Sequence, residues 1–578
     1  MTIPPVPQAQ NNMFEQAVQA YKHGDRSQSA MFARRVLHQQ PRHVGAMFLL
    51  GSMALDNGDA PAALELLQAA CDLESRHAGI WRALGMAHFA LHHWQLAQQA
   101  FRHALNLGLR DAGLLNNLGL TLKELGEEET AIQAFQEALQ LDPDDAGIHN
   151  NLAMALNRKH DYEAAIKAYR RSTQIHADDP DVWSNLALLL EQTNLLDEAE
   201  NALSRGLKLN PQHGNLLVIA AKCARRRGTP DIAIARLTEA IARIPLNPGV
   251  RRSMEYELGR NYDRIGDTDS AFVHLSRGNR LTLEIWPNLA AGAHNYLAEL
   301  DELLACFTPE WVSTWPDTTL PVDARRAAFL VSFPRSGTTL MDTILGAHPQ
   351  ISILEEEPCI DEVVRVLHQM PGGYPRALPT LNASYLAGLR DNYWRSVMTR
   401  LGTSATGRLV VDKNPFMSIH AAFIQRLLPG TPFIFALRHP CDVVLSCFMQ
   451  EFGPNPVMAN FIDLETTAQT YRRVMRLWLR YRELFPLQVY ELHYEKLIED
   501  KEGEMRKLLD FFKLPWSDNL ADHTLHAHQR GRIYTPSYHQ VIQPIYGDAV
   551  NRWRRYERYF GTTLEILRPY AEHFGYAI

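Results

Sequence analysis

The sequence is poor in the residues that would hold a disulfide framework or a metal. Its six cysteines are scattered over 578 residues and form no CxxC pair, so neither bridges nor a zinc site are indicated. The 24 histidines contain no HExxH spacing. We therefore expect buried free thiols and no metal.

Long hydrophobic runs are also missing. No stretch of about 18 apolar residues occurs, and the opening MTIPPVPQAQNN has neither a basic segment nor an apolar one. The sequence therefore predicts a protein without a membrane span that stays in the cytoplasm.

Charge of one sign is not concentrated anywhere. The formal net charge is only -7 and no long run of like charges appears, which argues against nucleic acid or an anionic membrane as the main partner. The chain is nevertheless 46% hydrophobic, and at this length it should bury the cores of two or more domains.

The N-terminal half repeats with a step of 34 residues. Large or polar residues that mark the register are Trp81, Leu115, His149, Trp183 and Leu217. Small residues follow four positions later, at Gly85, Gly119, Ala153, Ala187 and Ala221, and again sixteen positions later, at Ala97, Ala131, Ala165, Ala199 and Ala233. Large residues stand at the twentieth position, for example Phe101 and Phe135. Helices that cross closely need small residues at the crossing and large ones beside it.

This pattern resembles the tetratricopeptide repeat, and it implies an all-α superhelix of about eight repeats over residues 10–285. Such an array usually offers a concave face to a peptide or a partner protein. The alternative is that the array only spaces the second domain or joins two copies in a homodimer. Asparagines on the first helices could bind an extended peptide or simply be solvated: Asn116, Asn117, Asn150, Asn151 and Asn185.

The periodicity ends after residue 285. Residues 286–324 predict a helix over 291–307 and then a linker rich in Pro, Trp and Thr, so the domain boundary is expected there. Residues 325–578 alternate short apolar runs with helical segments, and the expected strands are 327–333, 408–411, 432–437 and 488–492. This alternation predicts an α/β domain with a parallel sheet and a site at the carboxyl ends of its strands.

The first strand runs into a turn, FLVSFPRSGTTLMDTILGAHP at residues 329–349, that has the composition of a phosphate-binding loop. Small residues let the backbone N–H groups of 336–339 face an anion, and the following helix adds its positive end. Thr338 stands where a nucleotide triphosphatase has lysine, and Arg335 supplies the positive charge instead. A single sulfate or phosphate ester fits this turn better than a triphosphate with magnesium.

A second anion site is indicated at FIFALRHPCDVVLS. Arg438 ends a strand there and Ser446 follows two turns into the next helix, so a guanidinium and a hydroxyl can meet a second phosphate. Together the two motifs predict a ligand with two separated anionic groups.

With both motifs in place, residues 325–560 resemble the sulfotransferases that use 3′-phosphoadenosine 5′-phosphosulfate, PAPS. The tyrosylprotein sulfotransferases are most similar, because their RSGTTLM, AHP and paired glutamates correspond to residues 335–341, 347–349 and LEEEP here. The joint arrangement with repeats also resembles a bacterial group of tetratricopeptide-sulfotransferase proteins. The resemblance implies a P-loop-like sulfotransferase domain and no metal.

The resemblance also implies roles for individual residues. Glu356 corresponds to the catalytic base, with Glu355 and Glu357 as alternatives, and Lys413 to the lysine that neutralises the leaving oxygen. Arg335 and Ser537 would stabilise the transferring sulfuryl group. The residues implied in donor binding are Arg335, Ser336, Gly337, Thr338, Thr339, Arg438, Ser446, Tyr494 and Arg552.

Two positions depart from the family pattern. Gln543 replaces a lysine and Gln450 replaces an arginine, which leaves the details of donor affinity open. Arg552, Arg554 and Arg555 could compensate, or could form a solvated face.

The sequence thus predicts transfer of a sulfuryl group from PAPS to an acceptor hydroxyl, with 3′,5′-adenosine bisphosphate as product. The acceptor is a protein tyrosine recruited by the repeats, or alternatively a glycan, a lipid or a small molecule. A Pro/Gly-rich insertion at 369–385 could cover it. Two other classes stay open, a P-loop phosphotransferase and a repeat scaffold with an inactive transferase domain.

Overall fold

The structure is a computed structural model, and it describes residues 12–316, 320–521 and 549–578. The chain divides into two compact units, of which the first ends at Ile219 and the second begins at Ala220. The described residues form 28 α-helices and a five-stranded sheet.

The first unit is entirely helical. Its helices α1 to α12 are Asn12–Lys22, Arg26–Gln39, Val44–Asp56, Ala60–Leu73, Ala78–Ala90, Trp94–Asn106, Ala112–Glu124, Glu128–Leu141, Ala146–Arg158, Tyr162–Ile175, Pro180–Gln192 and Leu196–Leu209. Consecutive helices pack in pairs, α1 with α2 through to α11 with α12. Helix α13, Gly214–Arg226, spans the division between the units.

The helix pairs are close because glycine faces a large side chain in the next helix. A Cβ placed on Gly85 would lie 2.6 Å from the ring of Phe101, and one on Gly119 would lie 2.6 Å from the ring of Phe135. Both rings are completely buried. The predicted tetratricopeptide packing of small against large residues is therefore confirmed.

The repeated asparagines bond to one another. Asn151 donates its amide to Asn116 at 2.9 Å, and Asn185 donates to Asn150 at 3.1 Å. These bonds join the first helices of successive repeats. Some of the amide groups that could bind a peptide are therefore already bonded within the array.

The second unit combines helices with the sheet. Its helices α14 to α28 are Pro230–Arg243, Pro248–Ile265, Thr268–Ile285, Asn288–Cys306, Pro309–Ser313, Thr338–Gly346, Cys359–His368, Ala383–Leu401, Ala421–Leu427, Pro440–Phe448, Leu464–Leu484, Tyr494–Glu499, Lys501–Phe512, Glu557–Phe560 and Thr563–His573. Its strands β1 to β5 are Arg326–Val331, Ile351–Glu355, Leu409–Lys413, Pro432–Leu437 and Gln488–His493.

The sheet is parallel throughout, with the order β2-β3-β1-β4-β5. Phe329 and Phe433 enter the core on one face, while Leu330 and Ile434 enter the core on the other. Helices therefore cover both faces, as a parallel sheet requires. The α/β fold class predicted for the C-terminal half is confirmed.

Strand β2 was not among the strands expected from the sequence. Its sequence ISILE has no run of three apolar residues, such as Leu409–Val411 in β3, and two more glutamates follow it, so its pattern does not mark a buried strand. It pairs with β3 in register from Ile351 opposite Leu409 to Glu355 opposite Lys413. That pairing fixes the position of the glutamates at the carboxyl edge.

The division into units falls inside the predicted repeat array, whereas the 34-residue period places a domain boundary at 286–324. Helices α15 and α16 contribute to this difference, because they are bonded to the last residue of α23 and to the segment after it. Asn279 donates to the carbonyl of Phe448 at 3.1 Å, and Arg252 donates to the carbonyl of Phe452 at 2.5 Å.

Within the described residues, no helix has both the length and the apolar character needed to cross a membrane.

Substituting Gly119 by alanine should destabilise the first unit. The added methyl would press on the buried ring of Phe135, and overpacking of this kind costs about 1 to 3 kcal/mol. Gly113→Ala, in the same helix α7, is the matched control, because its Cβ would meet only Asp111 Oδ1 at 3.4 Å. That variant should be neutral or slightly stabilised through better helix propensity. Thermal unfolding followed by circular dichroism measures both, and a higher midpoint for Gly119→Ala would contradict the packing described.

Candidate active site

The turn after β1 is tied to the two neighbouring strands. The backbone N–H of Ser332 donates to the carbonyl of Pro415 at 2.9 Å, and its hydroxyl donates to the carbonyl of Ala436 at 2.5 Å. Ser332 thereby joins the carboxyl ends of β1, β3 and β4. Because strand ends meet at one edge of a parallel sheet, the residues that follow them share one site.

The turn itself has the backbone of an anion-binding loop. Arg335 has φ of 71° and Gly337 has φ of 91°, both in the left-handed region that strongly favours glycine. Gly337 is also crowded, because a Cβ there would lie 2.5 Å from Tyr494 Cδ2. Helix α19 begins at Thr338, directly after Gly337, so its positive amino end lies at this turn.

The two predicted anion motifs lie against each other. Arg335 Nε donates to Ser446 Oγ at 3.1 Å, and Arg438 Nη1 donates to the carbonyl of Arg335 at 3.0 Å. The glycine-containing turn and the strand–helix pair of β4 and α23 therefore form one rim.

Arg438 is the most enclosed of the cationic side chains on this rim. It donates Nη2 to the carbonyl of Ala549 at 2.6 Å and stacks over the ring of Tyr494, with 5.0 Å from Cζ to the ring centroid. Only 9% of its surface is exposed, and its Nε has no hydrogen-bond partner among the described residues. This N–H could therefore donate to an anionic ligand on the rim.

The electrostatic environment of Arg335 also favours an anion on this rim. Burial lowers the pKa of the Arg335 guanidinium to about 10, and the nearby positive charges of Arg438, Arg260 and Arg552 add to this. The positive charges on the rim thus repel one another, and an anionic ligand would relieve that repulsion.

A different balance surrounds Lys413, the last residue of β3. Its Nζ lies 2.8 Å from Glu356 Oε1, 3.2 Å from Asp342 Oδ2 and 3.4 Å from Glu355 Oε1. Burial alone would lower the pKa of this ammonium, but the three carboxylates outweigh burial and raise it. Lys413 is therefore charged and completely buried.

The three adjacent glutamates have different surroundings. The Glu356 side chain is 45% exposed and that of Glu355 is 9% exposed, although both contact Lys413. Glu357 pairs with Arg400 at 2.7 Å. Glu356 has φ of 52° and donates its backbone N–H to the carbonyl of Lys413 at 2.7 Å. Of the three, Glu356 combines contact with Lys413 and access to solvent.

The remaining predicted residues are placed as follows. Ser336, Thr338 and Thr339 are buried in the turn. Tyr494 covers Gly337 and stacks on Arg438. Ser537 and Gln543 lie outside the described residues. Gln450 donates its amide to the carbonyl of Glu451 at 3.0 Å, and Arg552 pairs with Asp263.

Sequence reasoning missed Asp442, in the first turn of α23. Its carboxylate accepts the backbone N–H of Asn551 at 2.7 Å and of Trp553 at 2.8 Å. It therefore anchors the segment that carries Arg552. The acidic residue in HPCD was the available signal, but its partners are about 110 residues away in the sequence.

Comparison with family models now places both parts of the chain. Residues 327–518 match the sulfotransferase family, and residues 14–77, 119–159 and 156–223 match tetratricopeptide repeat models. The chain therefore carries tetratricopeptide repeats followed by a sulfotransferase-family domain.

Several curated proteins are similar to parts of the chain. An uncharacterised protein of Aquifex aeolicus is 27% identical over 385 residues, which cover 64% of this chain and 48% of that protein. Protein-tyrosine sulfotransferase 1 of Danio rerio is 28% identical over 242 residues, 39% of this chain and 64% of that enzyme. The chain thus spans about half to two thirds of the length of these relatives.

Solved structures similar to the chain include PilF of Pseudomonas aeruginosa. It is 23% identical, with a TM-score of 0.32, and the match covers 35% of this chain and 93% of PilF.

The buried carboxyl next to Lys413 should make stability depend on pH. Asp412 is 1% exposed, and Tyr393 donates its hydroxyl to Asp412 Oδ2 at 3.2 Å. Burial raises the pKa of Asp412 from 3.8 to about 7. Between these two pKa values the folded state keeps a proton that the unfolded state releases. The contribution of Asp412 to the free energy of unfolding is therefore fully present below pH 4 and is lost as the pH rises through 7.

Asp412→Asn removes the titration while keeping the size of the side chain. The free energy of unfolding of this variant relative to wild type should rise by roughly 2 to 3 kcal/mol from pH 5 to pH 8. Urea unfolding at the two pH values measures the difference. A gap that stays constant with pH would mean that Asp412 is ionised in the folded protein throughout this range.

Proposed function

We propose that this protein transfers a sulfuryl group from PAPS to an acceptor hydroxyl. One observation carries the proposal: the turn of Arg335 and the pair Arg438–Ser446 lie within hydrogen-bond distance of each other on one rim. A nucleotide with one anionic group at each side of its ribose could contact both motifs at once. The match of residues 327–518 to the sulfotransferase family supports this reading.

The donor would be held by residues of the rim. The turn from Ser336 to Thr339, at the amino end of α19, suits the 5′-phosphosulfate, and Arg438 with Ser446 suits the 3′-phosphate. Tyr494, between Arg438 and Gly337, would lie beside the nucleoside. Arg552 would add charge at the 3′-phosphate, and Ser537 keeps the role at the sulfuryl group that the family resemblance implies.

The chemistry requires a base and a group that stabilises the departing phosphate. The acceptor oxygen forms a bond to sulfur while the bond from sulfur to the bridging phosphate oxygen breaks. The proton of the acceptor goes to Glu356, and the electron pair leaves with 3′,5′-adenosine bisphosphate. Lys413 and Arg335 would stabilise the negative charge on the leaving oxygen and the sulfuryl group.

Glu356 is preferred over its neighbours as the base because of its surroundings. An acceptor hydroxyl must come within hydrogen-bond reach of the carboxylate. Glu355 is nearly enclosed and Glu357 is engaged with Arg400, whereas almost half of the Glu356 side chain is open to solvent.

A protein tyrosine is the acceptor class we favour. Several relatives of the second domain are protein-tyrosine sulfotransferases, and tetratricopeptide arrays often recruit peptide segments. The repeats would then bring the acceptor protein, or another partner, to the domain, and we place the reaction in the cytoplasm. A glycan, a lipid or a small phenol is the alternative. The segment 369–385 could cover the acceptor and so affect which of these classes binds.

Calorimetry with 3′,5′-adenosine bisphosphate tests the donor site directly. Arg438→Ala should weaken binding by about 10- to 100-fold, because a buried charged hydrogen-bond donor is lost. Arg408→Ala is the control, since Arg408 is exposed before the amino end of β3, away from the rim. Tighter binding of ATP with magnesium would instead favour a phosphotransferase. Absence of nucleotide binding would favour a scaffold with an inactive domain.

Glu356→Gln should lower turnover by about 100-fold or more, because general-base catalysis contributes that much. Glu357→Gln, one residue away and paired with Arg400, should stay within a few-fold of wild type. The assay follows formation of 3′,5′-adenosine bisphosphate from PAPS with a panel of tyrosine peptides and phenols. Affinity for the bisphosphate should not fall in either variant. Near-normal turnover of Glu356→Gln would remove it from the mechanism.

A further inference from the structure

Helices α15 and α16, the hairpin formed by residues 248–285, are bonded to the proposed donor site. Asn279 holds the carbonyl of Phe448, the last residue of α23. Arg252 holds the carbonyl of Phe452 and pairs with Glu451 at 3.2 Å. Because α23 also carries Ser446, the hairpin supports one side of the rim.

The hairpin makes a second set of contacts through Asp263, near the end of α15. The carboxylate pairs with Arg552 and with Arg555, and it accepts the hydroxyl of Tyr556 at 2.7 Å. Only 13% of the Asp263 side chain is exposed. A single carboxylate from the hairpin thus gathers three side chains of the C-terminal segment.

Arg552 is therefore held from two directions. Its backbone is fixed by Asp442, which accepts the N–H groups of the residues on both sides, Asn551 and Trp553. Its guanidinium is fixed by Asp263. Asp442 belongs to the α/β part of the unit and Asp263 to the hairpin, so the placement of this arginine needs both.

Like charges explain why Arg552 needs such a partner. The positive charge of Arg552 is close enough to Arg335 to contribute to lowering the Arg335 pKa. An arginine that is partly exposed beside other cations would turn toward solvent if nothing opposed the repulsion. One end of the guanidinium is engaged by Asp263, and a planar fork with five N–H donors retains others for a phosphate.

We propose that Asp263 is a positioning residue for the donor site: it holds Arg552 where the guanidinium meets the 3′-phosphate, so the α15–α16 hairpin is part of that site. This inference rests on the proposed function. The alternative is that Asp263 only attaches the hairpin to the C-terminal segment.

The hairpin contains a matched control for this alternative. Asp269, in the first turn of α16, pairs with Arg558 and accepts the hydroxyl of Tyr559. It attaches the same hairpin to the same C-terminal segment, but it does not contact Arg552. A purely structural role predicts that neither substitution changes the preference for a ligand with a 3′-phosphate, whereas a positioning role predicts a change for Asp263 alone.

The experiment compares two ligands on the full chain by calorimetry. One is 3′,5′-adenosine bisphosphate, and the other is adenosine 5′-phosphate, which lacks the 3′-phosphate. The ratio of the two affinities reports the contact with the 3′-phosphate and cancels general effects on the pocket. Asp263→Asn should lower this ratio by about tenfold while the affinity for adenosine 5′-phosphate stays unchanged. Asp269→Asn should leave the ratio unchanged.

Two more variants connect the effect to Arg552. Arg552→Ala should lower the ratio at least as much as Asp263→Asn, and the double variant should be no worse than Arg552→Ala alone. If Asp263→Asn does not fold, Arg555→Ala and Arg552→Ala take its place. Each removes one ligand of Asp263, and only Arg552→Ala should change the ratio.

The outcomes separate the two proposals. A wild-type chain that binds the bisphosphate no better than adenosine 5′-phosphate would refute the proposed donor site, and this inference with it. A wild-type preference that persists or increases in Asp263→Asn would overturn the positioning role and leave the proposed function standing.

Discussion

The guanidinium of Arg438 is the interaction on which the proposed site depends. It bonds to the carbonyls of Arg335 and Ala549 and stacks on Tyr494, so one side chain joins the turn after β1, the C-terminal segment and the start of α25. These carbonyls accept bonds from Nη1 and Nη2, whereas Nε has no partner among the described residues. An acid also lies near this cation: burial raises the pKa of Asp442, and the charge of Arg438 opposes that rise. An edge of the sheet that gathers several arginines suits a site for a doubly anionic nucleotide.

Lys413 shows the opposite arrangement a short distance along the same sheet edge. Its side chain is completely buried, and three carboxylates lie close to its ammonium group. The edge thus carries Arg335 and Arg438 after β1 and β4, and one lysine among three carboxylates at the end of β3. The strand order β2-β3-β1-β4-β5 produces this arrangement, because it places Glu355 beside Lys413 of β3, and Arg438, which follows β4, beside the turn after β1. In the proposed mechanism, donor binding would use the first group and proton transfer the second.

Much of this could be predicted from the sequence, and the limits have physical causes. The repeats were predictable because Gly85 and Phe101, or Gly119 and Phe135, are only sixteen residues apart and recur with the period. The turn at Arg335 and the strand before Arg438 were predictable because a phosphate loop and a buried strand have local patterns. Asp442 and Asp263 were not predicted, because their partners lie more than 100 residues away in the sequence. Strand β2 was missed because its sequence ISILE has no run of three apolar residues. The positions of Ser537 and Gln543 stay predictions.

The contact between Glu356 and Lys413 constrains how the two residues could act together. An ammonium has three N–H donors, and in this structure Nζ faces Asp342, Glu355 and Glu356. In the proposed mechanism, Lys413 would reach the leaving oxygen by giving up one of these contacts. Asp342 and Glu355 are enclosed, so releasing either would strand a buried charge. Glu356 is the most exposed of the three, and water or an acceptor hydroxyl can replace its contact with the lysine. In the proposed mechanism, the exchange that frees Lys413 for the donor would also free Glu356 to accept the proton, and binding of the nucleotide would then be linked to the readiness of the base.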